Sequence, residues 1–524
     1  MPERPSTRLV LRGGSVLDGL VEHHATAVGV ESGRIAFTGT DQEAEGWIGT
    51  GHGAPMVIDL DGAAVGAAFV DSHVHTVRTG FALTGLTLEG ARSLTEVLDA
   101  VSGFAAAHPD DAVIVGQGWD ETDWPESRPP TAAELERAAP GRRSYLTRVD
   151  GHSSVISPAL ATLVPGLADL AGWSDDGRVE RDAHHAVRNT LETLIGDADR
   201  LGAARAACRA MAAHGVIGFH ENAAPHIGPE SEIELVRQAA GETGLRATVY
   251  WGELMAIDTA RRLGANGLAG DLVADGAFGS RTAAMSAPYT DAPHTCGHAY
   301  VSAEQVRDHV VACTEVGLQA GFHCIGDAAL DAIGEGFRRA AEVLGAETVR
   351  RAHHRLEHVE MPSPDVIGVL ADLGVTASVQ PMFDALWGGP DGMYAARLGE
   401  RWSETNPLLD LSMAGVRLAC GSDSPVTGLD PWAAVRAATL HHQVEQRLST
   451  YEAYRAHTRG SSFAGHPDES GGSLVPGARA DLAIWDVPGG LDDHHFPVLS
   501  PDVELPTLLR LLADGTVIYE SEAS

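Results

Sequence analysis

Lysine is absent: all 37 basic residues of the 524 are arginines, set against 72 aspartates and glutamates. The resulting net charge of −35 excludes a nucleic-acid partner, whose phosphates need basic patches, and disfavours an anionic membrane surface. Cysteine is scarce. The five thiols (Cys208, Cys296, Cys313, Cys324 and Cys420) are odd in number and far apart. That excludes a disulfide framework or a zinc knuckle and fits reduced, mostly buried thiols. No stretch approaches the roughly 20 apolar residues that span a bilayer. The start, Met1-Pro2-Glu3-Arg4, shows no signal-peptide pattern, so the expected location is cytoplasmic. Also missing are a GxxxxGK[ST] loop, a strand–GxGxxG–helix unit and a Gly-x-Ser-x-Gly elbow, which leaves nucleotide binding and serine-elbow chemistry without support.

What is present is a 44% apolar chain long enough for a large barrel with an accessory domain. Residues 8–66 read as short strands broken by Gly and charged turns, and 472–520 return to the same texture. The middle alternates short apolar strands with Ala- and Arg-rich helices, the pattern of repeated βα units around a parallel sheet. Strand-like segments fall at 68–71, 113–116, 144–147, 216–220, 247–251, 272–274, 319–322, 355–357, 376–379 and 418–420. Assigning 113–116 and 144–147 to an insertion leaves eight, the number of a (β/α)8 TIM barrel. The expected division is 1–66 and 471–524 as the two halves of a composite β-sandwich, and 67–470 as the barrel, with the insertion at about 78–200.

His73-Val74-His75 ends the first of these strands, and residues two apart on a strand point the same way. Alone the pair proves little, since 25 histidines supply roughly one HxH by chance. His323, His358 and Asp423 stand at the ends of strands 5, 6 and 8, and in a βα barrel those ends meet at one mouth. Imidazole and carboxylate together suit zinc or a similar divalent ion.

Several motifs recur in fixed order: Phe69-Val-Asp-Ser-His-Val-His75, Gly118-Trp-Asp120, Gly151-His152, Asp275-Gly-Ala-Phe-Gly-Ser-Arg281, His323-Cys-Ile-Gly-Asp327, Arg355-Leu-Glu-His358, Gly421-Ser-Asp423 and Gly472-Ser-Leu-Val-Pro-Gly477. This series resembles the amidohydrolase superfamily, in the branch that includes N-substituted formamide deformylase and the YtcJ-like hydrolases, over nearly the whole chain. The resemblance implies a distorted barrel with His73, His75 and His323 as metal ligands. It implies Asp423 as a ligand of the metal or its water and as general base, and His358 as holding a second ion or a hydroxide. Many relatives carry a lysine at the end of strand 4, carboxylated by carbon dioxide so that it bridges two metals. Here the matching position is Asp271. Aspartate is shorter and reaches a bridging place only if the backbone comes inward. The expectation is therefore one zinc or other divalent ion, with a second ion held through Asp271 as the alternative.

The expected reaction is hydrolysis of a non-peptide carbon–nitrogen bond in a small amide, N-formyl or N-acyl, by metal-activated water with Asp423 as base. Alternatives are a mononuclear deaminase or cyclic amidase, and an inactive metal-bound binding protein. His323 or His358 would polarise the substrate carbonyl. Arg281 is expected either to bind a substrate carboxylate or to pair with Asp275. Trp119, Asp120 and His152, from the insertion, are expected at the pocket wall, Gln380 and Trp387 in the substrate pocket, and His220-Glu221 as a core pair. The doublets His23-His24, His184-His185, His441-His442 and His494-His495 read as surface or helix residues. A homodimer is admitted but no segment argues for it.

Overall fold

The computed structural model describes residues 8–19, 24–50, 54–109, 112–121, 124–148, 153–465 and 470–521. Its contacts divide the chain into two units, Met1–Thr76 with Cys208–Ser524, and Val77–Ala207.

The first unit holds an eight-stranded, all-parallel sheet in sequential order: β1 (Phe69–Val74), β2 (Val216–Ala223), β3 (Arg246–Trp251), β4 (Gly267–Leu268), β5 (Gln319–Cys324), β6 (Arg355–His358), β7 (Thr376–Val379) and β8 (Arg417–Cys420). A bridge from Val74 to Ser424 brings the end of β8 back to β1 and nearly closes the ring. Strands covered on both faces read as continuous apolar runs, and all eight residues of β2 are buried. Helix starts are written locally: Ser302 and Gln305 form a capping box, and Ser363-Pro364 and Asp430-Pro431 each place a capping side chain before proline at the first helical turn.

One strand differs from the sequence reading. The ladder of β4 is Gly267–Leu268, and 272–274 runs on with only a Val273–His323 bridge. Gly270, at φ +69°, turns the chain out of the ladder before the apolar run begins.

Segments from the first and last parts of the described chain meet in a sandwich. Arg34–Gly39, Ala27–Glu31, Arg8–Arg12 and Met56–Asp59 form one sheet; Ser15–Val16, Ala64–Ala67, Leu482–Asp486, Thr507–Ala513 and Thr516–Glu520 form the other. Leu11, Val28, Val65, Leu482 and Leu512 are among the side chains of their shared core. The second unit has its own five-stranded sheet, ordered Arg178–Glu180, Ser153–Ile156, Ser144–Arg148, Ile114–Trp119 and Leu86–Thr87.

Candidate metal centre

The end of β1 is fastened to the turn after β8. Asp71 Oδ1 accepts from His73 N (3.0 Å) and Ser422 N (2.9 Å), and Asp423 N donates to the His73 carbonyl (2.7 Å). Gly421 allows this approach, because a Cβ there would strike the backbone of His73. Asp423 and His358 both take left-handed backbone (φ +53° and +70°), a conformation that costs a non-glycine residue about 1–3 kcal/mol and that the surrounding ladder enforces. The result gathers four donors. His73 Nε2 lies 3.3 Å from Asp271 Oδ1 and 3.4 Å from Asp423 Oδ1; His75 Nε2 lies 3.4 Å from Asp271 Oδ2 and 3.2 Å from Asp423 Oδ1.

Those separations test whether a metal fits. Nitrogen and oxygen ligands roughly 2.0–2.1 Å from one tetrahedral ion stand about 3.3–3.4 Å from each other. Asp423 Oδ1 has that spacing to both His73 Nε2 and His75 Nε2, while Asp271 meets the two imidazoles with different oxygens, Oδ1 toward His73 and Oδ2 toward His75. His358 joins from β6: its donor atom, with those of His73 and Asp271, lies in a mutual 4.8 Å cluster, as do those of His73, His75 and Asp423. His73 Nε2 and Asp271 Oδ1, both facing the cluster, are buried and have no hydrogen-bond partner among the described residues.

The surrounding groups fix which nitrogens face the cluster. Glu357 Oε2 can only accept when ionised, so the proton of its 2.9 Å contact sits on His73 Nδ1 and the Nε2 lone pair is left for a cation. Glu357 is in turn held by both arms of Arg355 (2.6 and 2.9 Å), whose other donations go to His220 Nδ1 (2.7 Å) and the Ser72 carbonyl (2.6 Å). On the far side, Gln380 Oε1 takes His358 Nδ1 at 2.7 Å, and the Phe383 ring lies parallel to the same imidazole at a centroid distance of 5.7 Å.

Asp271 reaches the cluster because the backbone does come inward. Gly270 is left-handed beside Asn222, and the main chain at Asp271 passes so close to Gly252 that a Cβ there would lie 2.6 Å from the Asp271 carbonyl carbon. A short carboxylate is thereby carried where a longer side chain would otherwise be needed.

The electrostatics favour a cation. Burial alone would depress His73, but Asp423, Asp271 and Glu357 outweigh it and raise its proton affinity well above the usual value; His75 is raised by Asp271 and Asp423 against the same burial. Asp271 is held well below the ordinary carboxylate range, burial being overcome by His75 and His73. His358 differs: burial, with His323 and His73, lowers it to about 4. It is a neutral donor.

Other expected site residues stand elsewhere. His323 is outside the four-donor set, its Nε2 on the Gly276 carbonyl (3.2 Å) and its ring edge-on to His358 at 4.5 Å. Arg281 pairs with neither a free cavity nor Asp275; it binds Asp291 at 3.0 and 2.6 Å, while Asp275 accepts three backbone amides. Trp119 is packed in the apolar core of the second unit, its indole donating to the Leu146 carbonyl, because a large ring at the end of a covered strand is drawn inward. Asp120 is ion-paired to Arg148, and His152 lies outside the described residues. Gln380 spends its oxygen on His358 rather than facing substrate with it. His220 is a core residue on Arg355, and Glu221 accepts from Thr76 N. Of the doublets, His184-His185 lies in the helix Arg181–Leu194, as expected, with His184 buried on Tyr145 (2.6 Å), whereas His441, past the end of the helix Pro431–Thr439, is buried beside Asp384 (3.6 Å). Sequence reasoning passed over Glu357 and Arg355 as site residues. Their signal was there, two charges at alternate positions of an otherwise covered strand.

Residues 56–519 match the model of the amidohydrolase family. The protein YtcJ of Bacillus subtilis is 25% identical over 98% of this chain and 99% of its own length. The N-substituted formamide deformylase of Arthrobacter pascens is 26% identical over 95% and 96%. Among solved structures, a metal-dependent hydrolase of Pyrococcus furiosus, uncharacterised in function, has the same fold: TM-score 0.76 at 24% identity, covering 91% of this chain and 98% of that one.

Proposed function

Because the chain belongs to the amidohydrolase family, we propose that it hydrolyses a non-peptide carbon–nitrogen bond in a small N-formyl or N-acyl amide, with one zinc ion at the barrel mouth. The observation that carries this reading is the ligand spacing of His73, His75 and Asp423, with the Asp271 carboxylate reaching both imidazoles. Two points favour one ion. His73 offers a single nitrogen, Nε2, because Nδ1 is committed to Glu357, so the two overlapping ligand groups share it. Two carboxylates, Asp271 and Asp423, also balance the charge of one divalent ion.

Such an ion acidifies water and polarises a carbonyl oxygen. The remaining work falls to side chains. Asp423, held below the ordinary carboxylate range by His73 and His75 against the effect of burial, is ionised at neutral pH and takes the proton of the attacking water. It then delivers that proton to the departing nitrogen, so the amine leaves neutral. His358, kept in place by Gln380 and Phe383, has its one proton on Nδ1, so its Nε2 lone pair stands beside the same cluster to help hold the ion or to accept a hydrogen bond from the attacking water. The Arthrobacter deformylase is named for N-substituted formamides, which makes formamides the first compounds to try here.

Metal analysis of wild type and Asp271→Ala, paired with a screen of N-formyl, N-acyl and cyclic amides, tests the proposal. One ion per chain, lost in the variant, with release of formate or carboxylate, is expected. Two ions falling to one would overturn the single-ion reading. Ammonia released without an acid would overturn the amide reading.

A further inference from the structure

The opposite end of β8 carries a different chemistry. Arg417 begins that strand, and its guanidinium lies over the Phe463 ring, 3.7 Å from the centroid. The helix Thr450–Arg455 continues into a π-helical turn, Ala456–Gly460, whose last residue packs against the Leu418 backbone. π-turns inside helices are energetically poor and concentrate at functional positions. This one sets Arg455 and Arg459 on the exposed side, and the two line, with Arg417, a depression of about 270 Å³ that Ser412, Gly415 and Glu452 also border.

The three guanidiniums have no carboxylate partner among the described residues. Glu452, the acid in the lining, is committed to the helix start, where its Oε2 accepts from Ser449 N (3.0 Å) and Ser449 Oγ (2.7 Å). Acids are not in short supply, with 72 carboxylates to 37 arginines. Burial together with the neighbouring Arg459 and Arg455 depresses Arg417, so these charges are felt by one another. Three arginines against one glutamate around one depression, in an acidic protein, leave a net positive charge that a bound anion would relieve. Arg417, stacked on an aromatic face, keeps its planar edge for forked hydrogen bonds.

We infer that the depression ringed by Arg417, Arg455 and Arg459 is a binding site for a small dianion, a phosphate-type or dicarboxylate ligand, at the end of the barrel opposite the metal centre. The site is independent of the amide reading.

Full-length protein titrated with inorganic phosphate and with succinate, against sodium chloride at matched ionic strength, tests it by calorimetry and thermal shift. Saturable binding of at least one dianion is expected, weakened about tenfold or more in Arg455→Gln/Arg459→Gln, as loss of forked charge-assisted contacts predicts. Preference for phosphate or for succinate then assigns the ligand chemistry. Without anion, the double variant should melt at or above the wild-type temperature, because the arginines repel each other. No saturable binding, or binding unchanged in the double variant as an anion at the barrel mouth would give, overturns the proposal.

Discussion

Two buried polar groups inside the same barrel are built from the same residue types and end differently. In the interior, the Arg355 guanidinium donates to Glu357, His220 and the Ser72 carbonyl, and the pair is wholly shielded from solvent. At the mouth, His73 Nε2 and Asp271 Oδ1 are equally buried and lack hydrogen-bond partners among the described residues. A buried polar group normally finds its hydrogen bonds. The interior cluster is finished by the protein itself; the mouth leaves donor atoms open. His73 belongs to both, its Nδ1 saturated and its Nε2 open.

That contrast can be broken or sharpened by substitution. Asp423→Asn at the mouth removes the proposed base, and kcat for whichever amide is turned over should fall by about 10²–10⁴, the range for a positioned acid–base group. Unchanged turnover would remove Asp423 from the chemistry. Arg355→Met in the interior leaves the buried Glu357 charge with only the His73 Nδ1 proton and no cation, which should destabilise by about 3–5 kcal/mol in urea unfolding. A loss under about 1 kcal/mol would show that the interior pair is not the saturated support described. Gln380→Ala touches the mouth only through His358, so metal affinity or activity should drop about 10–100-fold with the melting temperature nearly unchanged.

The smallest effect concerns acid. His309 accepts from Met255 N and contacts the Leu268 carbonyl; His354 accepts from Ala320 N and meets Thr314 Oγ1. Burial lowers them to about 4 and about 3, from 6.5. The unfolded chain therefore takes up protons first as pH falls. The stability these neutral rings contribute is whole above about pH 6.5 and drains as pH falls through 6.5 toward 4 and then 3. The urea midpoint should decline from pH 7 to pH 5, and less steeply in His309→Gln. Equal slopes would exclude His309 as a source.

The barrel was legible because a strand covered on both faces is a short apolar run, and because HxH, His358 and Asp423 sit where such runs stop. Strand 4 was misread for the same reason. Leu272-Val273-Ala274 is apolar, yet Gly270 has already turned the chain, and backbone sign is not written in hydropathy. Glu357 escaped because Arg and Glu two apart look like an exposed pair until the ring of strands encloses them. Trp119 shows the converse: a motif residue at a strand end read as pocket wall, while its size drew it into a core. The inward path of Asp271 depended on Gly252, nineteen positions earlier by number, a contact that no local pattern announces.

The bare space at Gly252 also settles what the mouth requires from its surroundings. A carbamate on lysine forms only by capturing dissolved carbon dioxide and is surrendered on acidification. Asp271 carries its charge from synthesis onward. The four-donor cluster can therefore assemble as the chain folds, at a pace set by folding and indifferent to bicarbonate in the medium.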